Sequence, residues 1–371
     1  MNDAFGIINF EDQGIRIEGL MDYRPVSAIS FLGRYRVIDF VLSNMVNSGI
    51  DQIQVYFKEK PRSLIEHLGN GRHYNINSKR GWLHLLGMES TIHSEVYNHD
   101  VNTFTQNLHL IQDINKPYVV IAPSYMVYSL DYSQVLKAHL ENNADVTVVY
   151  KNVDNANEAF SGCDTLSFDG SKRITRMEPN RGKYKIRNIS LECYVMSKKM
   201  LIELVQLAAK TSSLFRLKDM IADVLSEYNI IGYRFSGYVA CLNSLSAYYN
   251  ASMELISYPK AKELFKSDWP IYTRTNDSPP TVYGEGGQVE GSMVSNGCLI
   301  EGSVIHSVIG RNVVIKQGAV IKDSVLLPGC FIGKKVALNK VIVDKKALIH
   351  HIKKLEGTST EPVYVKNRDR I

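Results

Sequence analysis

The sequence predicts two structural parts, an α/β domain with a mostly parallel sheet and, after a linker, a left-handed parallel β-helix. Short apolar runs alternate with longer stretches of helical periodicity as far as about residue 255. A segment rich in proline and polar turn formers follows, SDWPIYTRTNDSPPTVYGEGG. Beyond it, aliphatic residues recur at intervals of six, which is typical of a β-helix. The predicted division is an α/β domain at 1–265, a linker at 266–287 and a β-helix at 288–371.

Within the α/β part, β-strands and α-helices are distinguished by the spacing of apolar residues. The runs QIQVYF, YVVIAP and DVTVVY predict strands, whereas LIEHLGN, YSQVLKAHLENN and LFRLKDMIADVLSEY have the spacing of helices. Strands that alternate with helices indicate a largely parallel sheet covered on both faces. Ligands of such sheets bind beyond the carboxyl ends of the strands, so the ends of these strands are the places to look for a site.

The β-helix prediction depends on one series of aliphatic residues. The series is Val294, Ile300, Ile309, Ile315, Ile321 and Leu327. Its one longer step predicts a three-residue insertion that holds His306. Hexapeptide acyltransferases use this architecture with a histidine base, so acyl transfer at His306 is one hypothesis and a solvated loop histidine is the other. A β-helix of about five coils is expected to serve as a stacking and docking surface.

Bulk composition excludes several classes of protein. The net charge is only +5 and the basic residues are scattered, which argues against a nucleic-acid surface and fits weak attraction of anionic metabolites. No apolar run reaches about 18 residues, and the start of the sequence lacks a long apolar core, so neither a membrane span nor a signal peptide is expected. The five cysteines are odd in number, widely spaced and without a C-x-x-C pair, so neither a disulfide framework nor a zinc site is predicted. A reducing cytoplasm is the expected location.

The most specific segment of the sequence is RPVSAISFLGRYRVIDFVLSNMVNSGI, residues 24–50. Its apolar residues, among them Phe31 and Tyr35, are expected to pack a helix onto the sheet, and Gly49 is expected to end that helix. Asp39 and Asn44 are polar within this apolar run. We interpret them as hydrogen-bonded structural residues and not as catalytic ones.

This segment resembles the bacterial and plant ADP-glucose pyrophosphorylases (glucose-1-phosphate adenylyltransferases), whose run is approximately R-A-K-P-A-V-x-F-G-G-x-Y-R-x-I-D-F-x-L-S-N-x-x-N-S-G-I. The resemblance continues through TQNLHLI, LDYSQVLKAH, YYNASMEL and DWPIYTRTNDSPP, so it covers nearly the whole chain. It implies a nucleotidyltransferase domain of Rossmann-like type, followed by the left-handed β-helix. It also implies a reaction that joins glucose 1-phosphate to the α-phosphate of ATP and releases pyrophosphate.

The resemblance implies two aspartates that hold magnesium, and neither is present. One aligns with Pro123 and Ser124 at the end of the run VVIAPS, and the other aligns with Cys241 in YVACLNS. A metal clamp contributes several kcal/mol to the transition state, so the loss of both carboxylates is expected to cost on the order of a thousandfold in rate. We therefore predict no catalytic residue and no metal ligand in this chain.

The glycine-rich nucleotide loop of the family is also changed. In the family it has the form G-G-x-G-T-R-L, in which bare backbone can approach a triphosphate. Here FGIINF is followed by EDQGIRIEGL, which keeps Gly14 and Gly19. Glu11 and Asp12 are expected to face the phosphates and to oppose their binding.

Two lysines of the family are missing as well. The lysine of R-A-K-P aligns with Val26, and that of the sugar-phosphate motif E-K-P aligns with Glu178 in RMEPN. The stretch G-T-A-D-A, which touches the nucleotide, has become HDVNT at residues 99–103. Gln106 and Asn107 keep the family pattern and are candidates for residual nucleotide contacts, with a helix-end hydrogen-bonding role as the alternative.

Because the departures fall on the chemistry while the scaffold motifs persist, the sequence resembles the non-catalytic, GlgD-type branch of the family. That resemblance implies a regulatory subunit of bacterial glycogen synthesis that forms a heterotetramer with a catalytic partner, and Mg²⁺ is expected only in that partner. Arg24, Arg34 and Arg36 are candidates for binding a phosphorylated metabolite effector.

Two other interpretations remain open at this point. The chain could be an active sugar-nucleotide pyrophosphorylase that holds magnesium with other carboxylates, such as Asp131 or Glu178. It could also be a stand-alone metabolite sensor. Assay of the purified chain for pyrophosphate release from ATP and glucose 1-phosphate tests the first interpretation. Co-purification with a catalytic chain tests the second.

Overall fold

The computed structural model describes residues 3–10, 15–76, 79–87, 99–211 and 216–371. The chain forms two compact units that interleave in sequence. The first unit consists of Met1–Ile15, Phe40–Cys241 and Asp268–Tyr272. The second consists of Arg16–Asp39, Leu242–Ser267 and Thr273–Ile371.

Before the β-helix, short strands alternate with short helices. In chain order these elements are β1 (Ala4–Asn9), β2 (Ser30–Phe31), β3 (Tyr35–Arg36), α1 (Val37–Asn47), β4 (Gln52–Phe57), α2 (Arg62–Leu68), β5 (Trp82–Gly87), α3 (Asp100–Gln106), α4 (Leu108–Gln112), β6 (Tyr118–Pro123), β7 (Met126–Tyr128), α5 (Tyr132–Glu141), β8 (Val146–Val153), β9 (Asp164–Phe168), β10 (Ile174–Pro179), β11 (Arg187–Ser197), α6 (Lys198–Thr211), α7 (Leu217–Asp223), β12 (Ile230–Arg234), β13 (Val239–Cys241), α8 (Leu245–Glu254) and α9 (Tyr258–Leu264).

A nine-stranded sheet forms the centre of the first unit. Its strand order is β10-β9-β11-β6-β1-β4-β5, and β8 pairs with both β11 and β12. The strands β6, β1, β4 and β5 are parallel, as are β8 and β12, whereas β11 runs antiparallel to β6, β8 and β9. The sheet is therefore mixed, because the short connections between β9, β10 and β11 lack the helix that a parallel crossover needs.

The predicted elements of this unit are largely confirmed. The strands β4 and β6 coincide with the runs QIQVYF and YVVIAP. Helix α7 ends at Asp223, before the end of the predicted helix. A buried core of aliphatic and aromatic side chains from β1, β6, β8 and α6 holds the sheet and its helices together.

Helix α1 begins later than the sequence analysis predicted. Phe31 and Tyr35 lie opposite each other in the antiparallel pair β2–β3, because Gly33, at a φ of 76°, makes a tight turn between them. The buried carboxylate of Asp39 accepts a 2.8 Å hydrogen bond from the backbone N–H of Arg36, which satisfies a free donor at the start of α1. Gly49 follows the helix with a φ of 77°, as predicted.

The second unit contains a three-sided parallel β-helix, consistent with the predicted left-handed form. Its strands are β14 (Val282–Tyr283), β15 (Gln288–Glu290), β16 (Met293–Val294), β17 (Leu299–Ile300), β18 (Ser303–Ile305), β19 (Val308–Ile309), β20 (Val314–Ile315), β21 (Val320–Lys322), β22 (Val325–Leu326), β23 (Phe331–Ile332), β24 (Ala337–Asn339), β25 (Val341–Val343), β26 (Leu348–Ile349), β27 (Lys354–Glu356) and β28 (Val363–Val365). They stack as three five-stranded sheets, so the prediction of about five coils is confirmed.

Two details of the predicted repeat are wrong. The longer step before Ile309 contains the strand β18, whose Val304 is buried in the core, so His306 lies at an ordinary corner between strands and not in an insertion. Leu326, and not Leu327, pairs with Ile309 and joins the core cluster. The six-residue rule failed here because the corners of the coil vary in length.

None of the helices in the described part of the chain is long and apolar enough to cross a membrane.

Candidate functional site

Strand β6 ends at Pro123 and is followed by Ser124; these two residues are the first position at which the family resemblance places a magnesium ligand. The backbone N–H of Ser124 donates to the carbonyl oxygen of Asn9 over 3.0 Å and so continues the pairing with β1. The Ser124 side chain is buried, and its Oγ has no hydrogen-bond partner within the described residues. Pro123 offers no side-chain donor atom, and a hydroxyl carries no charge, so this position lacks the carboxylate that magnesium favours.

Cys241 is the last residue of β13. It occupies the second position at which the family resemblance implies a magnesium ligand. It lies opposite Met126 in the two-stranded antiparallel sheet of β7 and β13. Its Sγ atom is 3.5 Å from Sγ of Cys163, the residue just before β9, and both side chains are buried. Because thiol sulfur is a soft ligand and magnesium prefers hard oxygen ligands, this pair does not fit magnesium.

The negative charges of the two carboxylates close to these thiols, Glu192 and Asp164, are balanced in part by the ammonium group of Lys218. Lys218 Nζ lies 3.4 Å from Oε1 of Glu192 and 3.8 Å from Oδ2 of Asp164, and all three side chains are almost buried. Burial raises the pKa of Tyr125 well above its ordinary value, and the neighbouring Glu192 carboxylate and the Cys163 thiol add to that rise. Across the described ranges, no group of three or more His, Cys, Asp or Glu side chains could hold a metal ion. The residues of this region do not fit the magnesium that the family resemblance implies.

Other polar residues singled out from the sequence serve the scaffold. Asn44 donates from Nδ2 to the carbonyl oxygen of Tyr128 over 2.9 Å, and its Oδ1 accepts from Nε1 of Trp269 over 2.8 Å. Asp131 caps α5, since its Oδ1 accepts from the N–H of Ser133 over 2.8 Å. These bonds give Asn44 and Asp131 structural roles: Asn44 joins the Tyr128 backbone to the Trp269 side chain, and Asp131 caps a helix.

Gln106 and Asn107 lie at the junction of α3 and α4. Asn107 donates from Nδ2 to the carbonyl oxygen of Thr103 over 2.9 Å, which fits the helix-end role more closely than a nucleotide contact. Gln106 is exposed at the last position of α3.

Glu178 lines a basic cavity of about 330 Å³ beside strands β9, β10 and β11. The other lining residues are Thr165, Arg176, Pro179, Asn180, Arg181, Lys183, Tyr184 and Arg187. Oε2 of Glu178 lies 2.9 Å from Nη2 of Arg176, so the carboxylate neutralises one of the surrounding cations. Glu178, at the position where the family resemblance implies a lysine, therefore lowers the positive charge of the cavity.

Val26 and Arg24 are both buried in the second unit. Val26 lies in a single turn of 3-10 helix, Val26–Ala28, with none of its surface exposed. The Arg24 guanidinium pairs with the buried carboxylate of Asp344 and donates from Nε to the carbonyl oxygen of Leu20 over 2.9 Å. Arg24 is thus engaged within the fold, although the sequence offered it as an effector ligand.

Arg34 and Arg36 lie near two further cations from corners of the β-helix, Arg311 and Lys345. We call these residues the basic cluster. Burial lowers the pKa of Arg311, and the charge of Arg34 lowers it further. Burial also lowers the pKa of Lys345 to about 7, with the charges of Arg36 and Arg24 adding to the effect. These cations repel one another, and the carboxylates of Asp39 and Asp344 offset part of that repulsion. A bound anion would offset it further and gain charge-assisted hydrogen bonds.

Arg311, Lys345 and Cys163 were not identified as candidate site residues from the sequence. Each is far along the chain from the residues it approaches, and none belongs to a recognised motif. The one available signal was the position of Arg311 and Lys345 between successive β-helix strands, where side chains point away from the core. In the changed nucleotide loop, Gly19 is buried and lies in a turn at a φ of 77°, whereas Glu11, Asp12 and Gly14 lie outside the described residues.

Comparison with known proteins gives matches over both parts of the chain. Residues 12–255 match the family model described as nucleotidyl transferase, and residues 280–357 match one described as GlmU-like, C-terminal hexapeptide. The glycogen biosynthesis protein GlgD of Bacillus subtilis (strain 168) is 30% identical over 365 residues, which cover 98% of this chain and 96% of that protein.

Two further relatives are similar over most of their length. The glycogen biosynthesis protein GlgD of Geobacillus stearothermophilus is 34% identical over 325 residues, with 86% of this chain and 83% of that protein covered. The glucose-1-phosphate adenylyltransferase of Fervidobacterium nodosum (strain ATCC 35602 / DSM 5306 / Rt17-B1) is 30% identical over 352 residues, with 94% and 84% covered.

Proposed function

The chain belongs to the GlgD-type ADP-glucose pyrophosphorylase (glucose-1-phosphate adenylyltransferase) family, and we propose that it is a regulatory subunit, silent in catalysis, that modulates a catalytic partner in glycogen biosynthesis. The reaction served by the complex would be the synthesis of ADP-glucose and pyrophosphate from ATP and glucose 1-phosphate. The proposed location is the cytoplasm, together with the catalytic partner and its nucleotide substrate.

The observation that carries the proposal is the donor set at the two metal positions. Ser124 contributes an uncharged hydroxyl and Cys241 contributes a thiol in contact with Cys163. Nucleotidyl transfer needs a divalent cation to offset the repulsion between two phosphate-bearing substrates and to stabilise charge on the transferring phosphorus. Without carboxylates at these positions, the described residues do not supply the metal ligands that the family resemblance implies.

The charges around the other family positions support the same conclusion. Val26 is buried without a charge, and Glu178 places a carboxylate where the family has a cation for the sugar phosphate. Asp131, which was considered as a replacement metal ligand, is used as a helix cap. The changes at Val26 and Glu178 weaken the binding of anionic substrates at these two positions.

The basic cluster supports a role in effector binding. Arg34 is exposed, and Arg36 and Lys345 are partly exposed, so an anion can approach them from solvent. We propose that a phosphorylated metabolite binds among Arg34, Arg36, Arg311 and Lys345. Its binding would favour one conformation of a heterotetramer of regulatory and catalytic chains, through a coupling free energy of about 1–3 kcal/mol.

Activity measurements on the purified chain and on its mixture with a catalytic subunit test the proposal. The chain alone is expected to release no pyrophosphate above background from ATP and glucose 1-phosphate. Added to the catalytic subunit, it is expected to change the rate, the substrate affinity or the response to phosphorylated effectors. No change in any of these quantities would contradict the regulatory role.

A stand-alone metabolite sensor is the second candidate, because the basic cluster is formed by residues of this chain alone. The two candidates differ in whether the chain assembles with a catalytic subunit. Co-expression followed by size-exclusion chromatography decides between them: a shared peak supports the regulatory subunit, and separate peaks support the sensor.

A further inference from the structure

Two of the buried cysteines touch each other although they are 78 residues apart in the chain. The Sγ atoms of Cys163 and Cys241 lie 3.5 Å apart, and both thiols are free. The thiols of Cys298 and Cys330 instead donate to backbone carbonyl oxygens, with Cys298 at 3.1 Å from the oxygen of Ser295. The contact with a second thiol thus distinguishes Cys163 and Cys241 from Cys298 and Cys330.

We propose that Cys163 and Cys241 form a redox-active dithiol, which a small disulfide such as glutathione disulfide converts reversibly into an intramolecular disulfide. Cytosolic disulfides are usually of this transient, redox-sensing kind. The inference does not depend on the proposed regulatory function, because it concerns the chemistry of this chain alone.

The geometry needs little change for the bond to form. A disulfide has an S–S length of about 2.05 Å, so the sulfur atoms must approach by about 1.5 Å, which a small rotation of the two side chains and a slight shift of one strand can supply. Cys241 is the last residue of β13, a three-residue strand in a two-stranded sheet. Short strands of this kind open at low free energy, which gives both movement and access to the oxidant.

The exchange proceeds in two balanced steps. When the short strand β13 opens, Cys241 at its end loses its proton to solvent, and the thiolate attacks one sulfur of glutathione disulfide and expels a glutathione thiolate. Cys163 then loses its proton and attacks Sγ of Cys241, which expels the second glutathione thiolate. Overall, two protein thiols are oxidised by two electrons and one glutathione disulfide is reduced to two thiols.

The reduced form is protected from random oxidation. The hydrogen bond with Cys241 raises the pKa of Cys163, and burial raises it further, so its thiolate is scarce until the mixed disulfide has formed. Once formed, the disulfide would join the end of β13 to the residue just before β9, beside Tyr125. The disulfide would also close a loop of 78 residues in the unfolded chain. This lowers the conformational entropy of the unfolded state and so stabilises the folded protein.

The experiment equilibrates the full chain in glutathione buffers of increasing oxidised fraction, alkylates the remaining thiols and maps them by mass spectrometry. Free thiols are expected to fall from five to three, with the loss confined to Cys163 and Cys241, and the melting temperature is expected to rise. Dithiothreitol is expected to reverse both changes. Cys163→Ser and Cys241→Ser are expected to abolish the disulfide and the rise, whereas the matched buried control Cys193→Ser keeps both.

Serine at a buried thiol position can itself destabilise the fold, so Cys163→Ala and Cys241→Ala are measured in parallel, each against its own melting temperature in dithiothreitol. Five free thiols in the wild-type chain at the most oxidising buffer would overturn the proposal. A disulfide that involves Cys193, Cys298 or Cys330 in place of this pair would also overturn it.

Discussion

The guanidinium of Arg24 pairs with the carboxylate of Asp344, and the two side chains are 4% and 0% exposed. The hydroxyl of Tyr364 donates to the same carboxylate oxygen over 2.7 Å. Arg24, a residue of the segment 24–50, is thereby held against the corner that follows β25, the fourth strand of its stack, within the second unit. This network leaves Arg34, Arg36 and Lys345 as the more accessible cations of the region.

Replacement of Arg24 is expected to destabilise the second unit. Arg24→Met would leave the Asp344 carboxylate buried without its cation, and an unpaired buried charge of this kind costs about 3–5 kcal/mol. Urea denaturation measures the loss in the free energy of unfolding. The control is Arg34→Met, an exposed position at which a change within about 0.5 kcal/mol is expected. Equal, small losses in both variants would show that the Arg24 pair contributes little.

Anion binding to the basic cluster is expected to depend on the protonation of Lys345. Its pKa is lowered to about 7 by burial, then by the charges of Arg36 and Arg24, with Asp344 acting in the opposite direction and Lys346 adding slightly. Protonated Lys345 attracts an anion, so affinity should be highest below this pKa and should fall as the pH rises, by at most about tenfold per pH unit. Sulfate is the probe, because its charge stays constant near neutral pH.

Calorimetric titration of sulfate between about pH 6 and pH 9 measures this dependence. Lys345→Met is expected to bind more weakly at low pH and to lose the pH dependence, whereas Lys346→Met, at the exposed neighbouring position, is expected to keep it. The same pKa shift also affects stability. The pKa of Lys345 is lower in the folded state than in an unfolded chain, where a lysine has a pKa of about 10.4. The contribution of this residue to the free energy of unfolding therefore rises with pH between the two values. A pH profile unchanged by Lys345→Met would contradict the assignment.

Restoration of the two missing carboxylates is expected to restore metal binding. In the double variant Ser124→Asp with Cys241→Asp, Mg²⁺ should bind roughly tenfold or more tightly than in the wild-type chain, because two carboxylates attract a divalent cation strongly in a buried site. Catalysis should still be absent, since Val26 and Glu178 provide no cation for the phosphates. The matched control, Ser124→Asn with Cys241→Asn, has nearly the same shape without the charge.

Isothermal titration with Mg²⁺, with thermal melts to verify folding, distinguishes these cases. Equal affinity in the wild-type chain and the aspartate variant would mean that the metal is held by other residues.

Most of the fold was predictable from the local spacing of apolar residues along the sequence. The runs QIQVYF and YVVIAP form β4 and β6, because their alternation with helical segments is a local property. The β-helix followed from its repeat, although Val304 was overlooked where the corner length changed. Interleaving of the two compact units was not predictable, since the packing of residues 16–39 with the β-helix depends on contacts such as Arg24 with Asp344.

The candidate site was predictable only where the chain could be compared with a family motif. Pro123, Ser124, Cys241, Glu178 and Val26 were identified by what is missing from those motifs. The pairing of Cys163 with Cys241 and the approach of Lys345 to Arg36 join residues far apart in sequence, and no local pattern encodes such contacts.

The rate of Mg²⁺-dependent pyrophosphate release by the purified chain alone, with ATP and glucose 1-phosphate at saturation, tests the absence of catalysis. We expect a rate below about one thousandth of that of a catalytic relative assayed in parallel, because both metal carboxylates are lost. Turnover comparable to that relative, abolished by removal of Mg²⁺, would contradict the account.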